Sequence, residues 1–575
     1  MRKNKILSVI GGLAAFIFTS CDGIFDVDYY TFLSEDYIFT NESTIEEGLL
    51  GCYELLYPNS FGGSSWGVRP HMMLANLPTL DVQASGWDFN YCKYEWTASE
   101  SQFRYSWKCS YAAISRINSL LAGMESVKES VFKEGIKAKN EVIAQARALR
   151  AYNYIYLGKN FGRVPMLMTG ENYSTSPAKP RPETADEMWK LIIEDLEYAT
   201  GVLDWQPLNG QYGRITKGMC LAYLAEAYMY NNDYDSAKQR LKQIIDSKTY
   251  ELLPCFASVH DMGNYWSKES VWEHSFYKFS TMTSSASKLT DALIQMGYRC
   301  ASMEHAGYGS FCLSWEFYNS FEPGDKRKQY SCVALGENNP YTGEAIGVDP
   351  AYNAEFVGTD HNPNVYTLKY WREQHGAMKK DHNYNPCSLT MKRYAGVLLD
   401  YAECCFRTND EATGWEIIKQ IRNRAWGNLE TGMSGEYVFG FEDLSYVRDD
   451  YKLNKVKVEV PDAKSFYTRY KAEKGYTADV WLVALTIERR HEFNIEFELW
   501  YDLCRSGMAE QFINCEYPMN EGWTKRDFPF YDYYMLFPIP TDEILNNDLI
   551  NEEDQNPGYL SLIHISEPTR LLSIS

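Results

Sequence analysis

The sequence lacks several features that would assign a class of function at once. It has no excess of positive charge: 56 Lys and Arg oppose 77 Asp and Glu, for a net charge of −21. Such a chain would release no phosphate counterions, which excludes nucleic acid as a partner. Fourteen cysteines in a chain of 575 residues do not indicate a disulfide framework, and no CxxC pair indicates a zinc site. Beyond residue 20 there is no run of about 18 apolar residues, so no transmembrane helix is expected.

Motifs for catalysis are also missing. The chain has no P-loop and no dinucleotide fingerprint, and the segment His491–Ile495 lacks the second His of a zincin helix. Glu488, Glu492 and Glu496 share one helix face, whereas glycoside hydrolysis needs two carboxyl groups facing each other about 5–10 Å apart. The same segment carries Arg489, Arg490 and Arg505. We therefore predict ion pairs between neighbouring helices here, and neither an enzyme nor a bound cofactor or metal.

Aromatic residues are abundant, at 15% of the chain with 45 Tyr and 15 Trp. Such a surplus either fills the grooves between helices or lies on the surface as flat binding platforms. The cysteines, including the neighbours Cys404 and Cys405, fall within helical patterns and are expected to be small buried thiols.

The N-terminal 20 residues are typical of a secretion signal. Arg2, Lys3 and Lys5 precede an apolar run, Ile6–Phe18, that is too short to span a membrane. The small residues before Cys21 resemble the lipobox of bacterial lipoproteins, with Phe18 where Leu is usual. This resemblance implies lipidation of Cys21. The nearby Asp22, Asp26 and Asp28 resemble the surface-export signal of Bacteroidetes lipoproteins, which implies a lipid anchor on the cell surface.

The other end differs in composition from the acidic stretch before it. The segment Leu560–Arg570 resembles the translation of a transposon-type sequencing adapter. We therefore expect residues 560–575 to be an assembly artefact, with the native chain ending at Tyr559.

Between these ends the periodicity is mainly helical. Ala144, Ala148, Ala151 and Ile155 fall on one face of a predicted helix, and the small residues allow another helix to approach closely. Two further segments follow the tetratricopeptide spacing at positions 4, 7, 8, 11, 20, 24 and 27. In the first these are Leu221, Leu224, Ala225, Tyr228, Ala237, Leu241 and Ile244. In the second they are Leu398, Tyr401, Ala402, Cys405, Gly414, Ile418 and Ile421.

The two units are 177 residues apart in sequence, so the chain is not a simple solenoid. Long insertions of weak helical periodicity, at about 59–105 and 255–382, separate the helical pairs. Loops of this kind commonly carry function. We predict a predominantly all-α fold, in which tetratricopeptide-like pairs form the scaffold and loop-rich insertions carry short strands. The expected regions are a signal at 1–20, an N-terminal helical region at 21–254 and a C-terminal region at 255–559.

Several strings, taken in order, resemble the SusD/RagB family of Bacteroidetes nutrient-binding lipoproteins. They begin with a helix that ends in a Phe-Gly-x-Val-Pro stop, and they close with Phe-Pro-Ile-Pro and Asn-Pro-Gly-Tyr. The matching segments are 144–165, 213–230, 393–405, 418–425, 488–505, 537–540 and 555–559. Gly396 departs from the family, which usually has Glu there, and a helical Gly costs about 0.5–1 kcal/mol relative to Ala. Asp325 and Arg327 recur in the family, and we expect them to form a loop-fixing ion pair.

The resemblance implies a cell-surface lipoprotein that captures glycan and delivers it to a TonB-dependent, SusC-like transporter of the outer membrane. Two alternatives remain open: a peptide-capturing lipoprotein of the RagB type with the same transporter, and a tetratricopeptide scaffold for protein assembly. The family binds glycan with loops that project from the helical scaffold. The candidate ligand contacts are therefore Trp66, Asp81, Trp87, Asn90, Tyr91, Trp96, Tyr265, Trp266, Tyr298 and Tyr308. Trp66 and Trp87 rank first, because small or polar residues flank each of them.

Overall fold

The computed structural model describes residues 35–56, 69–84, 88–260, 265–274, 311–338, 365–369, 388–428, 454, 456–518 and 528–559. These residues are mainly helical, which confirms the predicted fold class. The helices are α1 (Glu35–Ile38), α2 (Glu42–Glu54), α3 (Arg69–Asn76), α4 (Phe89–Cys92), α5 (Ser101–Ser126), α6 (Ile136–Phe161), α7 (Ala185–Val202), α8 (Lys217–Tyr230), α9 (Tyr234–Ser247), α10 (Trp315–Asn319), α11 (Arg327–Ser331), α12 (Tyr394–Arg407), α13 (Glu411–Ala425), α14 (Ala463–Lys474), α15 (Val480–Phe493), α16 (Leu499–Ser506), α17 (Ala509–Glu516) and α18 (Thr541–Asn546).

The strands of the described residues are short and pair as three antiparallel ladders. Their bounds are β1 (Val82–Ala84), β2 (Ser270–His274), β3 (Phe311–Leu313), β4 (Cys332–Ala334), β5 (Val365–Thr367) and β6 (Leu389–Arg393). β1 pairs with β3, β2 with β6 and β4 with β5. Five of the six strands begin within the two predicted insertions, as expected.

The predicted small-residue face of α6 is buried. Ala144, Ala148 and Ala151 have no exposed surface, and α6 packs between α5 and α7. The helix ends at Phe161, and Gly162 follows with a left-handed φ of 70°. A Cβ at Gly162 would lie 2.9 Å from the Leu536 side chain. The absence of a side chain at Gly162 therefore also leaves room for Leu536.

The two tetratricopeptide-like units are the pairs α8–α9 and α12–α13. Thr216 and Asp233 accept hydrogen bonds from the first turns of α8 and α9, and so fix where each begins. The apolar residues at the shared positions are buried, apart from partial exposure of Tyr228 and Tyr401.

The two units are adjacent in space although they are distant in sequence. α9 packs directly against α12. Lys238 of α9 forms a 2.9 Å ion pair with Asp410, and the Arg407 guanidinium lies 4.6 Å from the centre of the Tyr234 ring. The helical stack therefore passes directly from α9 to α12, and the second insertion lies between these two helices in sequence.

Gly414, at tetratricopeptide position 20, permits the close contact between α12 and α13. A Cβ there would lie 2.6 Å from the Phe406 ring. We expect Gly414→Ala to lower the free energy of unfolding by about 1–3 kcal/mol through overpacking. Gly201 in α7 is the control, since its Cβ would meet nothing within 4 Å. Gly201→Ala should instead raise stability by about 0.5–1 kcal/mol. Urea unfolding of both variants measures the contrast, and equal shifts would contradict the packing assigned to Gly414.

Cys404 and Cys405 are free thiols and are fully buried. Burial raises the pKa of Cys220 and Cys404 well above the ordinary thiol value. The prediction of small buried thiols is confirmed at these positions.

Candidate functional site

The two predicted insertions meet in the ladder β1–β3. Val82 pairs with Leu313 and Ala84 with Phe311, and the Ser314 N–H donates to the Asp81 carbonyl oxygen at 2.9 Å. β3 also packs against β5, which belongs to the second insertion. These strands therefore join the two insertions to each other.

Asp81 immediately precedes β1, and it is fully buried. Its carboxylate accepts three hydrogen bonds of 2.6–3.0 Å from the Arg490 guanidinium and one from the Tyr517 hydroxyl. The carboxylate is used to join the first insertion to α15. The sequence-based assignment of Asp81 as a ligand contact is therefore corrected to a structural ion pair.

Tyr91 and Trp96 also lie in the interior rather than on a binding surface. Trp96 donates from Nε1 to the Tyr559 hydroxyl at 2.8 Å and packs edge-on against Phe537. Tyr91 packs against Trp96 and Phe103, with ring centroids about 6 Å apart. Trp96 thereby packs the C-terminal end of the fold against the first insertion. The predicted ligand-binding roles of Tyr91 and Trp96 are therefore corrected to core packing.

Asn90 remains partly exposed, at the first turn of α4. Its side-chain amide donates to Glu100 at 3.2 Å, and its carbonyl accepts hydrogen bonds from Lys93 and Glu95. These bonds stabilise the turn after α4.

Tyr265 and Trp266 form the turn before β2 and are partly exposed. The Trp266 N–H donates to the Glu273 carboxylate at 2.9 Å. The Trp266 ring lies 5.9 Å from that of Tyr212, which is not among the ligand contacts predicted from the sequence. Tyr212 stands between Gln211 and Gly213, a polar and small setting like that of Trp66 and Trp87. That setting was the signal that would have found it.

The remaining candidates, Trp66, Trp87, Tyr298 and Tyr308, lie outside the described residues, as does Cys21.

The glutamates of the Glu488–Glu496 segment are buried in ion pairs, as predicted. Glu492 accepts from Arg393 at 2.8 Å and Arg327 at 3.2 Å, and it pairs with Arg424. Burial alone would raise the pKa of Glu492, but the guanidinium groups of Arg424, Arg393 and Arg327 outweigh it and lower the pKa to about 2.

The arginines of the same segment join other helices. Arg489 binds Asp400 at 2.7 Å and Glu403 at 2.8 Å, both on α12, and Arg505 of α16 binds Glu403 at 2.7 Å. The expected loop-fixing pair is also confirmed, since Arg327 and Asp325 are 2.7 Å apart. These carboxylates are used to hold helices together.

A small cavity lies between α3, α6, α8 and α16. It contains about 30 Å³ of space open to water, room for a few water molecules rather than a sugar ring. Burial raises the pKa of Glu498 on its wall to about 7, against the opposing charge of Lys392. A Cβ at Gly396 would lie 3.0 Å from Glu498 Oε2. Gly396 therefore makes room for this carboxylate, which accounts for the departure noted at that position.

Within the described residues, no helix combines the length and the hydrophobicity needed to cross a bilayer. The same residues contain no group of three or more His, Cys, Asp or Glu side chains arranged to hold a metal ion.

Two family profiles match the sequence. The SusD family profile matches residues 268–559, and a profile described as "Starch-binding associating with outer membrane" matches residues 42–229. The chain is also 24% identical over 550 residues to SusD-like protein P2 of Formosa agariphila, covering 92% of this chain and 94% of the relative.

Solved structures of similar fold span almost the whole chain. A SusD homologue from Bacteroides thetaiotaomicron aligns with a TM-score of 0.70 at 18% identity, over 91% of this chain and 98% of its own. Surface glycan-binding protein A of Bacteroides thetaiotaomicron, in complex with laminarihexaose, aligns with a TM-score of 0.66 at 19% identity, over 90% and 100%. At these identities the likeness establishes the fold.

Proposed function

The chain belongs to the SusD family, and from that premise we propose that it is a cell-surface lipoprotein that captures oligosaccharide or polysaccharide for a TonB-dependent, SusC-like outer-membrane transporter. Lipid on Cys21 would anchor it, and the mature protein would comprise the regions 21–254 and 255–559. A structural relative with a bound laminarihexaose supports glycan as the cargo.

The ladder β1–β3 is the observation that carries the proposal. Trp87 follows Ala84 by three residues, and Tyr308 precedes Phe311 by three. Because Ala84 pairs with Phe311, the two sequence segments that carry these aromatics connect to the same end of the ladder. One aromatic from each insertion would therefore serve one glycan, stacking on the apolar C–H faces of its sugars.

Affinity electrophoresis in gels containing laminarin, starch, xylan, mannan or pectin tests this proposal. We expect at least one polysaccharide to retard the native protein. Trp66→Ala and Trp87→Ala should each weaken that binding about tenfold, as expected for a central aromatic contact. Trp415→Ala is the control, because Trp415 is partly exposed on α13, packs on Phe406 and lies outside both insertions.

Two results would count against the proposal. Retention of peptides by a native protein that no polysaccharide retards would indicate peptide capture. Equal retardation of the native protein and both tryptophan variants would remove the assigned contacts. Co-purification of a large outer-membrane β-barrel tests the transporter partnership separately, and its absence would favour a scaffold that acts only in protein assembly.

A further inference from the structure

The loop between α7 and α8 carries an exposed tyrosine, and several of its residues have positive φ values. Asn209, Gly210 and Gly213 all have left-handed φ values, of 55°, 66° and 100°. Between them Tyr212 exposes 47% of its surface. Loop residues with specified conformations of this kind commonly serve binding.

Trp266 faces Tyr212 from the turn before β2 and has a backbone conformation that is costly for its type. Its φ is 57°, in the left-handed region that a bulky non-glycine residue rarely adopts. Such strain persists only where neighbouring structure enforces it, and it is concentrated at functional sites, ligand clamps among them.

The structure supplies that enforcement. The buried Glu273 carboxylate accepts the Trp266 N–H at 2.9 Å. Two backbone bonds close the rest of the turn: Ser270 N–H to the Ser267 carbonyl at 2.9 Å, and Glu251 N–H to the Lys268 carbonyl at 3.0 Å. Glu273 itself is fixed in β2 by pairing with β6.

The rings of Tyr212 and Trp266 contact each other, with centroids 5.9 Å apart and planes inclined by 42°. Tyr212 is exposed and Trp266 is partly buried against the core, so the Tyr212 ring and the exposed part of Trp266 together form an apolar surface. The tyrosine hydroxyl can donate and accept hydrogen bonds. Nearby charges are already paired: Arg214 with Glu46, and Lys268 with Glu251 at 3.4 Å. A surface of this kind favours an uncharged ring with apolar C–H faces over an ionic ligand.

Resting on the proposed glycan function, we propose that Tyr212 and Trp266 form a second sugar-stacking subsite, for an uncharged pyranose, with Glu273 as its positioning residue. This subsite stands on the β2–β6 ladder, whereas the ladder that joins the two insertions is β1–β3. The protein would thus contact one polysaccharide at two places.

The test uses the full mature chain in the same polysaccharide gels. Tyr212→Ala and Trp266→Ala are each expected to weaken retention by the bound polysaccharide about tenfold, with little change in the unfolding midpoint for Tyr212→Ala. Tyr37→Ala is the matched control, since Tyr37 is 50% exposed on α1 and belongs to neither ladder. It should leave retention unchanged.

Glu273 is tested by a pair of variants. Glu273→Gln keeps an oxygen that accepts the Trp266 N–H and should keep native affinity, whereas Glu273→Ala should lose affinity to about the extent of Trp266→Ala. Equal loss in the Gln and Ala variants would overturn the positioning role. Because the chain has 15 Trp, the signal of Trp266 is taken as the difference in fluorescence between each variant and the same variant carrying Trp266→Phe, and this difference reports whether the turn has moved.

The outcomes separate this inference from the proposed function. If a polysaccharide retards native protein, Tyr212→Ala and Trp266→Ala alike, the second subsite is overturned while glycan binding stands. If no polysaccharide retards the native protein, both fall. If the variants keep glycan affinity but lose the co-purifying β-barrel, the surface contacts protein and the sugar subsite is overturned.

Discussion

Replacing Glu492 with glutamine is expected to lower the free energy of unfolding by about 3–5 kcal/mol, because it removes the shared charged partner of three guanidinium groups from a buried network of ion pairs. The side chains of Glu492, Arg327, Arg393 and Arg424 are at most 2% exposed. Glutamine preserves the shape but removes the charge that three guanidinium groups share. Urea unfolding followed by circular dichroism measures the loss.

An exposed pair gives the matched control. Glu416 and Lys419 form an i,i+3 pair on the surface of α13, with side chains 70% and 62% exposed. Glu416→Gln should change the free energy of unfolding by less than about 0.5 kcal/mol, since exposed pairs contribute little. Similar losses in the two variants would contradict the role assigned to the buried network.

The Glu492 variant should also change the pH dependence. The guanidinium groups around Glu492 lower its pKa to about 2 in the folded protein, below the ordinary glutamate value of 4.5. Its contribution is therefore present above about pH 4.5 and is lost as the pH falls toward 2. We expect the native protein to lose this part of its stability over that range, and Glu492→Gln to lack the corresponding slope.

A chain that ends at Pro540 is expected to fail to fold, whereas one that ends at Tyr559 should be as stable as the full sequence. Glu543 of α18 accepts from the buried Trp107 Nε1 at 3.1 Å and from Tyr173. Asn556 donates to the carbonyls of Phe161 and Phe537 at 3.0 and 2.7 Å. Each buried group left without a partner costs about 1–3 kcal/mol, and domain stability is only about 5–15 kcal/mol in total.

The two truncations are compared by soluble yield and thermal unfolding. The chain that ends at Tyr559 retains the Trp96–Tyr559 hydrogen bond and removes only residues 560–575, which we propose are foreign to the protein. A lower midpoint for this shorter chain would contradict that proposal. Cooperative unfolding of the chain that ends at Pro540, at the native midpoint, would contradict the stabilising role assigned to residues 541–559.

Local periodicity was sufficient to predict the scaffold. The small face of α6, the tetratricopeptide positions and the helix stop before Val164 all arise within about 30 residues of chain, where spacing alone determines which side chains share a face. The ion pairs of Arg489 and Arg490 were also predictable in kind, because charges on a helix with many apolar neighbours require partners when it is buried.

The partners themselves could not be read from the sequence. Asp81 lies 409 residues from Arg490, and nothing near it in the chain distinguishes a buried carboxylate from one in a binding loop. Trp96 shows the same limit, since Phe537 and Tyr559, which contact it, come from the C-terminal end of the fold. Tyr212 was missed for the opposite reason: it belongs to a short loop between helices, outside the long insertions.

The distance in sequence between Asp81 and Arg490 also bears on how the chain reaches its native state. A pairing of such high contact order cannot form until most of the polypeptide has been synthesised, and non-local topologies of this kind fold slowly. α9 would likewise wait for α12 with one apolar side uncovered. We therefore expect a nascent or interrupted chain to form an aggregation-prone intermediate. We also expect the closure of these long loops to limit the rate of refolding in vitro.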